Sequence, residues 1–457
     1  MIPVLTPAEM KAVDEAAPDA TDVLIARAGA AVARATLRRL GGGYGRRVVV
    51  VAGKGNNGAD GRVAGEHLRR AGVRVTVIEA AGHDAGGQAV PPCDLVIDAA
   101  YGTGFRGDYD APDPGGALVL AVDIPSGVDG LTGEACPGAV SADLTVTFAA
   151  LKPGLVLGAG REHAGRVEVA DIGLPVGRCS MHVVDDADVV ARLPHRPADA
   201  HKWKAAVFVA AGSPGMTGAP QLVGRGAFRA GASTVRVGVP GAVLEDLAAT
   251  EAVGIALPEE GWAATVVEAA RRCKAIVVGP GLGRSDIVLA EVRRLVTDSP
   301  IPIVVDADAL GVFADADDVP LARSPLVLTP HAGEFERLWG SKPGPDRIGD
   351  VRGLAERTGA TVLLKGPTTV VASPDGEVLL SASGSARLAT AGSGDVLAGV
   401  VGAFLAQGPA PLQAAALAAH VHGAAAGLGF ERGLVAGDLP ELIARWLSDS
   451  GTERSNG

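Results

Sequence analysis

Short apolar segments alternate with longer helical segments along most of the chain, and this alternation restricts the fold more than any other feature. Residues 48–52, VVVVA, and residues 303–305, IVV, are apolar at successive positions rather than at every second one. A strand of this kind is buried on both faces, which is typical of a parallel sheet that helices cover on both sides. The sequence therefore predicts an α/β fold.

The alternation breaks once, at a polar and turn-rich stretch near residues 184–204. A chain of 457 residues is also long for a single hydrophobic core. We therefore predict an N-terminal domain over 1–185, a linker over 186–200, a C-terminal domain over 201–448 and a disordered tail over 449–457. The predicted strands are Arg47–Ala52, Val73–Glu79, Leu95–Ala99, Ala117–Asp123, Asp143–Ala149, Ala205–Ala211, Thr234–Val239, Ala275–Val278, Ile303–Val305, Leu326–Leu328, Thr361–Leu364 and a hairpin over Thr369–Leu380.

The composition excludes several classes of function. The net charge of −11 and the aromatic content of 3% argue against a nucleic-acid partner, which would need a basic surface and stacking rings. No uninterrupted apolar run predicts a membrane span, and residues 1–17 do not resemble a signal peptide. The four cysteines are far apart in sequence, which indicates neither a disulfide framework nor a zinc site. We expect a cytoplasmic homo-oligomer without a nucleic-acid or membrane partner.

A Gly-rich turn near the C-terminus carries one aspartate. Residues 391–399 read AGSGDVLAG and lead into a predicted helix over Val396–Gln407. A helix N-terminus has unpaired N–H groups and favours anions, and Gly392 and Gly394 would let a phosphate approach the backbone. Asp395 would then suit a general base for phosphoryl transfer. The alternative is an ordinary loop in which Asp395 caps the helix.

Three predicted strand ends in the N-terminal half carry polar residues. Residues 53–61 read GKGNNGADG and precede a predicted helix over Ala59–Arg70. Residues 96–108 and 122–130 contain Asp, Ser and Gly after two further strands. Each segment alone could be an ordinary turn, but ligands of open α/β sheets bind at the carboxyl ends of strands. Together the three segments favour one ligand site, and the Asn amides could bind a ligand or a monovalent cation.

The segments GNNGADG, DAAYGTGFRGD and DIPSGVDGLTGE resemble the N-terminal epimerase domain of the NAD(P)HX repair enzymes. The resemblance covers most of residues 1–175 and is specific, above all in DIPSGVDGLTGE. It implies a Rossmann-like fold that interconverts the R and S forms of hydrated NADH or NADPH, with K⁺ beside the substrate.

The same resemblance assigns roles to individual residues. It implies that Asn57, Asp98 and Ser126 lie near K⁺, and it makes Asp123 the acid/base candidate. Ala59 departs from the family, which usually has Gly there, so close approach of the backbone to substrate is in question at this position. The implied substrate contacts are Asn56, Asn57, Gly58, Ala59, Asp60, Gly102, Thr103, Gly104, Phe105, Arg106, Gly107, Asp108 and Asp123.

Several polar or Gly-rich blocks in the C-terminal half follow predicted strands. They read TGAP at 217–220, GPGLG at 279–283, DADAL at 306–310, TPHAGE at 329–334 and KGPTT at 365–369. A single histidine or lysine in such blocks is more often a packed or solvated side chain than a ligand. Their shared position at strand ends favours a site.

With ATAGSGDVLAG, these blocks resemble the dehydratase domain of the same repair family, which belongs to the ribokinase-like superfamily. The match spans roughly residues 195–445. The resemblance implies that Asp395 removes the proton of the C6 hydroxyl of the hydrated ring, whose oxygen attacks the terminal phosphoryl of ADP or ATP. The ester then leaves, giving NAD(P)H, phosphate and AMP or ADP. Bacterial-type members use ADP and animal-type members use ATP.

The dehydratase resemblance also implies contacts and a metal. Mg²⁺ is expected on the nucleotide phosphates, with Glu334 as a weak candidate ligand. Two segments depart from the family pattern. The sequence of residues 383–388 differs from the usual loop, and the Gly that often follows the His-Lys pair is missing after His201-Lys202. The implied substrate contacts are Ala219, Gly283, His331 and Asp395, and the implied nucleotide contacts are Lys365, Gly366, Pro367, Thr368, Thr369 and Gly394.

Two alternatives to a fused repair enzyme stay open. A kinase of a small alcohol would share the C-terminal fold and the GSGD turn, but it would not explain the N-terminal half. The N-terminal domain could instead be a binding module, as in the mRNA-decapping scaffolds that resemble it. Asn57, Asp98, Asp123 and Ser126 are all present, and the acidic charge also argues against that second alternative.

Overall fold

A computed structural model describes residues 1–80, 89–194, 198–242 and 251–452 of the chain. The chain divides into two compact units, Ile2–Cys179 and, together with Met1, Ser180–Gly457. None of the helices in the described ranges is long and apolar enough to cross a membrane.

The N-terminal unit is built on a parallel sheet of six strands in the order β3-β2-β4-β5-β6-β7. Its second strand is buried on both faces, since Val48 and Val50 pack into one apolar cluster and Val49 and Val51 into another. The carboxyl ends of β2, β4, β5 and β6 are therefore neighbours at one edge of the sheet. The elements are β1 (Ile2–Pro3), α1 (Pro7–Glu15), α2 (Thr21–Leu40), β2 (Arg47–Ala52), α3 (Asn56–Arg70), β3 (Arg74–Glu79), β4 (Leu95–Ala99), β5 (Leu118–Val122), β6 (Leu144–Phe148), α4 (Gly160–His163) and β7 (Arg166–Ala170).

The C-terminal unit has a larger sheet in which ten strands follow the order β8-β17-β16-β15-β14-β13-β12-β9-β10-β11. Strands β9 to β15 are parallel, whereas β16 pairs antiparallel with both β15 and β17. The elements are β8 (Met181–Val183), α5 (Asp186–Arg192), β9 (Ala206–Ala210), α6 (Gly218–Arg229), β10 (Thr234–Pro240), β11 (Val253–Leu257), α7 (Trp262–Ala269), β12 (Ala275–Val278), α8 (Asp286–Asp298), β13 (Ile303–Val305), β14 (Leu326–Leu328), α9 (Ala332–Trp339), α10 (Arg347–Thr358), β15 (Thr361–Leu364), β16 (Thr369–Ala372), β17 (Val378–Ser381), α11 (Ser393–Gln407), α12 (Pro411–Gly427) and α13 (Leu439–Thr452).

Helix α11 lies over the middle of this sheet. It is apolar all round because it packs on α6 and α12 and on strands β9, β12 and β13. Small residues allow the close approach to α6: a β-carbon at Gly399 would lie 2.1 Å from the carbonyl oxygen of Val223. The N-terminus of α11 is thereby held in a fixed position.

Most predicted strands are present within one residue of their expected ends, but the prediction needs four corrections. Helix α3 begins at Asn56 and α11 at Ser393, so part of each expected Gly-rich loop is a helical turn. Residues 186–200 are not simply a linker, because Asp186–Arg192 is a helix with a capping box between Asp185 and Asp188. Helix α13 continues to Thr452, into the expected tail, and residues 453–457 lie outside the described ranges. Strands β1, β7, β8 and β11 were not predicted.

Candidate active sites

A cavity of about 700 Å³ opens in the N-terminal unit at the carboxyl ends of β2, β4, β5 and β6. Its wall includes most of the residues that were predicted to contact substrate, namely Asn56, Asn57, Asp60, Gly102, Thr103, Gly104, Phe105 and Asp123. The predicted contacts that do not line it are Gly58, Ala59, Arg106, Gly107 and Asp108. Helices α1 and α2 complete the wall with mostly apolar side chains. The three polar strand ends thus converge on one space large enough for a ring and its substituents.

Gly58 supports this cavity indirectly, through backbone packing. A β-carbon at Gly58 would lie 1.9 Å from the carbonyl oxygen of Gly53, so only glycine lets the first turn of α3 press against the preceding loop. Ala59 sits inside α3, where a methyl group fits helical backbone. The departure from Gly at position 59 is therefore compatible with this backbone.

A buried ion pair lies at the floor of the cavity. The ammonium of Lys152 donates to Asp123 Oδ1 at 2.5 Å, to Thr147 Oγ1 at 2.8 Å and to the carbonyl of Phe148 at 3.1 Å. Lys152 is only 1% exposed, although lysine is almost never fully buried without a partner. Sequence reasoning missed Lys152, and its one signal was a lysine placed directly after an apolar strand, in AALKPG.

The backbone at Asp123 is unusual. Its φ is 67°, in the left-handed region that few side chains other than Asn and Asp adopt. Because Lys152 and Thr147 bind Oδ1, the other oxygen, Oδ2, is turned towards Gly102: a β-carbon there would lie 3.7 Å from it. A strained carboxylate held by a cation, with one oxygen towards a cavity, is suited to proton transfer.

A second carboxyl that lines the cavity, that of Asp60, differs from Asp123 in its surroundings. It is buried, and burial raises the pKa of Asp60 to about 8, with the carboxylates of Asp123 and Asp14 adding to the rise. The pKa of Asp14, at the cavity rim, is also raised by burial, against the opposing charge of Lys152. The cavity therefore contains acidic groups with different affinities for a proton.

The three residues predicted to bind K⁺ are joined in one hydrogen-bond network. Ser126 donates to Asp98 from its backbone N–H at 2.8 Å and from its hydroxyl at 2.7 Å. The carbonyl of Tyr101 accepts from Asn57 Nδ2 at 2.8 Å and from the Ser126 hydroxyl at 3.2 Å. Burial raises the pKa of Asp98 to about 6, while the bonds from Ser126 oppose that rise.

One oxygen of this network has no donor. Asn57 Oδ1 is buried and accepts no hydrogen bond from the described part of the chain. A set of carboxylate, amide, hydroxyl and carbonyl oxygens with an orphaned acceptor fits a weakly hydrated cation. No group of three or more His, Cys, Asp or Glu side chains among the described residues could hold a metal ion.

In the C-terminal unit, Asp395 lies in the first turn of α11. The N-cap is Gly392, in the left-handed conformation with φ of 86°, and no side chain caps the helix. The alternative in which Asp395 caps the helix is therefore wrong. Burial raises the pKa of Asp395 to about 6; Asp306 and Asp308 add to the rise and Lys365 opposes it. The carboxyl is thus partly dehydrated and close to other charges.

Lys365 links this helix to the sheet. Its ammonium donates to Asp306 Oδ1 at 2.5 Å, and the hydroxyl of Thr329 donates to the same oxygen at 2.7 Å. A β-carbon at Gly394 would lie 3.4 Å from Lys365 Nζ, so the cation reaches the first turn of α11. Asp306 Oδ2 is buried and has no partner among the described residues. Lys365 and the N-terminus of α11, which no side chain caps, together form a positively polarised site.

The predicted substrate contacts lie on neighbouring strand ends. Ala219 is in the first turn of α6, and its methyl group would lie 3.2 Å from a β-carbon at Gly281, so it faces the GPGLG turn. Gly283, with φ of 76°, donates to Asp308 at 3.1 Å. His331 caps α9 by accepting from the N–H groups of Gly333 and Glu334 at 3.0 and 3.2 Å, and its side chain is 60% exposed.

Glu334 is buried beside these groups. It accepts a hydrogen bond from the N–H of His331 at 2.9 Å, and burial raises its pKa while the charge of Lys365 opposes the rise. The predicted nucleotide contacts Gly366, Pro367 and Thr368 lie in the connection between β15 and β16, and Thr369 is the first residue of β16. The divergent loop packs there, since a β-carbon at Gly384 would lie 2.6 Å from the carbonyl oxygen of Pro367.

Sequence reasoning also missed His422 of α12. It is buried beneath the first turn of α11, and burial lowers its pKa to about 4, although the backbone of Ser393 favours the charged form. Its Nε2 has no partner within the described ranges. No sequence signal separated this histidine from the Ala-rich helix around it.

Comparison with known proteins finds a family match in each half of the chain. Residues 207–448 match the family described as NAD(P)H-hydrate dehydratase, and residues 21–87 and 78–154 match the family described as YjeF-related protein N-terminus. The chain is 36% identical to a bifunctional NAD(P)H-hydrate repair enzyme of Moorella thermoacetica, over 87% of each chain. It is 40% identical to a bifunctional NAD(P)H-hydrate repair enzyme of Mycobacterium tuberculosis, over 84% of each chain.

Solved structures resemble the C-terminal unit. The ADP/ATP-dependent NAD(P)H-hydrate dehydratase of Bacillus subtilis, co-crystallised with ATP and Mg²⁺, is 30% identical with a TM-score of 0.51, and the match covers 58% of this chain and 97% of that one. A ribokinase-like superfamily protein of Enterococcus faecalis matches with a TM-score of 0.53 at 20% identity, over 60% of this chain and 98% of that one. The predicted fold class, a Rossmann-like unit followed by a ribokinase-like unit, is confirmed.

Proposed function

This chain belongs to the family of bifunctional NAD(P)H-hydrate repair enzymes, and on that premise we propose how its two units divide the repair reaction. The N-terminal cavity interconverts the R and S forms of hydrated NADH or NADPH. The C-terminal site removes water from the S form at the expense of an adenine nucleotide. The observation that carries this proposal is the first turn of α11, where Asp395 and Lys365 lie together at a helix N-terminus that no side chain caps.

Asp395 acts as the general base of dehydration. Its carboxylate removes the proton of the C6 hydroxyl, and the oxygen attacks the terminal phosphoryl of the nucleotide. The N–H groups around Gly392–Gly394 and the ammonium of Lys365 stabilise the negative charge on the transferring group. The C6–O bond then breaks with its electrons on phosphate, and loss of the C5 proton completes the double bond of NAD(P)H.

The nucleotide and Mg²⁺ bind at the N-terminus of α11, beside Lys365. The Bacillus subtilis relative was co-crystallised with ATP and Mg²⁺, which supports an adenine nucleotide as co-substrate here. Mg²⁺ usually takes one or two protein carboxylates and relies on phosphate oxygens for the rest. Glu334, which interacts with the charge of Lys365, and Asp306 Oδ2, which is buried without a partner among the described residues, are carboxylate groups that suit this role. When bound, the ion offsets the charge of the phosphates.

We assign the remaining contacts as follows. In the dehydratase site, Ala219, Gly283 and His331 contact the hydrated dinucleotide, and the segment 365–369 with Gly394 contacts the nucleotide. In the epimerase site, Asp123 exchanges protons with the substrate while Lys152 holds its carboxylate in place. K⁺ binds among Asn57, Asp98 and Ser126, which is supported by the orphaned Asn57 oxygen.

One experiment separates this proposal from a small-alcohol kinase. The chain is incubated with the mixed epimers of hydrated NADH and with ADP or ATP, and the absorbance of reduced nicotinamide is followed together with released phosphate. We expect full conversion of both epimers with one phosphate per NADH formed. Accumulation of a stable phosphorylated alcohol, or consumption of the S form only, would contradict the C-terminal or the N-terminal assignment, respectively.

A further inference from the structure

The epimerase cavity holds a further buried carboxyl, that of Asp60. Asp60 lies on α3, is 8% exposed and lines the cavity. Its carboxyl makes no hydrogen bond or ion pair with the described part of the chain, in contrast to Asp98 and Asp123, whose oxygens accept bonds from Ser126 and Lys152. Burial of a carboxyl without a donor or a cation favours its neutral form.

The charges that face Asp60 also favour the neutral form of its carboxyl. Asp14 of α1 and Asp123 line the same cavity, while the ammonium of Lys152 is already committed to Asp123. Helix α2, which packs on α3, contributes Thr21, Leu24, Ile25 and Ala28 to the cavity wall and so brings no titratable group there. Lys54, at the exposed loop before α3, is the other cation in the lining.

The two central carboxyls therefore have different surroundings. Burial, reinforced by the carboxylates of Asp123 and Asp14, raises the pKa of Asp60 to about 8, so that Asp60 retains its proton. The carboxylate of Asp123 is instead held in a buried ion pair. A neutral carboxyl and an ionised one in a single cavity form an acid and a base ready for concerted proton transfer.

The reaction requires such a pair. In the hydrated ring the hydroxyl is on C6, next to the ring nitrogen N1, so inversion at C6 must break either the C6–O bond or the C6–N1 bond. Cleavage of C6–O would leave a cation that needs only to lose a C5 proton to become NADH. The nucleotide-driven reaction of the other site would then be superfluous. Cleavage of C6–N1 avoids this and opens the ring to an aldehyde.

We propose that Asp60 is the general acid of the epimerase site, which protonates N1 while Asp123 takes the proton of the C6 hydroxyl. The O–H electrons form the C6=O double bond, and the C6–N1 electrons pass to N1, which receives the proton of Asp60. The aldehyde turns about its C5–C6 bond, and N1 attacks the other face. N1 returns its proton to Asp60, and Asp123 returns its proton to the oxygen. Both carboxyls regain their starting states, and nothing is consumed. This inference rests on the proposed epimerase activity.

The test uses Asp60→Asn in the full chain, with Glu66→Gln, an exposed residue of the same helix, as the matched control. The amide keeps the size and a donor hydrogen but cannot transfer a proton. We expect kcat for conversion of the R to the S form to fall by roughly 10²- to 10⁴-fold with little change in KM. Glu66→Gln should behave like wild type, and dehydration of pure S form should be unchanged in both variants.

Two further measurements distinguish acid catalysis from a supporting role. The wild-type kcat should fall as the pH rises through about 8, where Asp60 loses its proton, and Asp60→Asn should lack this dependence. Substrate labelled with ¹⁸O at C6 should retain the label in the S product, because the C6–O bond stays intact. Loss of the whole label in each inversion would overturn ring opening.

The outcomes separate this inference from the activity on which it rests. If the wild-type chain does not accelerate epimer interconversion, the proposed epimerase function and the role of Asp60 both fail. If wild type is active and Asp60→Asn retains its kcat within about threefold, or raises KM alone with the pH dependence preserved, only the role of Asp60 is overturned.

Discussion

Lys152 and Asp123 form an ion pair of 2.5 Å at the floor of the epimerase cavity, and the lysine is sealed from water. The first prediction follows from the cost of leaving one buried charge unpaired. Lys152→Met should lower the free energy of unfolding by about 3–5 kcal/mol, measured by urea denaturation of the full chain. Epimer interconversion should be lost, and dehydration of pure S form at low denaturant should be preserved.

The double variant Lys152→Met with Asp123→Asn is the control. Asparagine tolerates the left-handed backbone at position 123 and carries no charge, so it removes the unpaired carboxylate. The double variant should regain part of the lost stability without regaining epimerase activity. Equal stability of wild type and Lys152→Met would show that this pair is not closed off from solvent.

The second prediction concerns the base of the dehydratase site. Asp395→Asn should reduce kcat for dehydration by roughly 10²- to 10⁴-fold, because the amide cannot accept the hydroxyl proton. The affinity for nucleotide, measured by isothermal titration calorimetry, should change little, since Lys365 and the N–H groups of α11 are untouched. Glu336→Gln, on the exposed face of α9, is a suitable control. Full turnover by Asp395→Asn would refute the assigned base.

A third prediction is the pH dependence of dehydration. The pKa of Asp395 is raised to about 6, chiefly by burial, and the base must be ionised to act. The value of kcat should therefore rise with pH through about 6 and level off above it. The measurement is kcat between pH 5 and 8 with saturating nucleotide and pure S substrate. A rate that is flat over this range would mean that proton removal by Asp395 does not limit the reaction.

Some of the residues in these predictions could be identified from the sequence, and others could not. Asp395 could be found because it stands in a Gly-rich turn that leads into a predicted helix. Asn57, Asp98 and Ser126 could be found because they lie at or after the ends of apolar strands, and parallel strands bring their carboxyl ends to one edge of a sheet. Lys152 also follows a strand, yet a lone lysine in sequence is normally solvated. Only the contact with Asp123, a residue 29 positions away, shows that it is buried and paired.

The missed secondary structure has a similar cause. Strand β8 has three residues, and it is a strand because β17, almost 200 positions later, pairs with it. Helix α5 did have a local signal, since Asp185 and Asp188 have the spacing of a capping box, but the surrounding polar residues outweighed it. Short elements that depend on distant partners cannot be read from local pattern alone.

A fourth prediction tests the protonation of Asp60 without any substrate. Its pKa is about 8 in the folded chain against an ordinary value of 3.8, so between these pH values the folded state holds a proton that the unfolded state has released. The unfolded state binds fewer protons there, and stability must fall as pH rises. Asp60→Asn should remove this loss, so the variant should gain stability relative to wild type between pH 5 and 8.

The measurement is urea denaturation of both proteins at several pH values, with Glu66→Gln again as the control. The difference in unfolding free energy between Asp60→Asn and wild type should grow with pH and stop growing above about 8. A difference that is constant with pH would mean that Asp60 is ionised in the folded chain, and it could not then be the acid.

The last prediction concerns the cation in the epimerase unit. Asn57 Oδ1 is a buried acceptor with no donor among the residues that the structure describes. It lies at the edge of a network whose other oxygens belong to Asp98, Ser126 and the carbonyl of Tyr101. A cation that binds only the folded state must raise stability with its concentration. K⁺ should therefore raise the Tm of the wild-type chain and the rate of epimer interconversion, and the smaller Li⁺ should do so less.

Asn57→Leu replaces the orphaned oxygen by methyl groups and should abolish the K⁺-dependent rise in Tm. An equal rise for K⁺ and Li⁺ in both proteins would indicate a general salt effect, which would remove the physical basis for a cation site at Asn57.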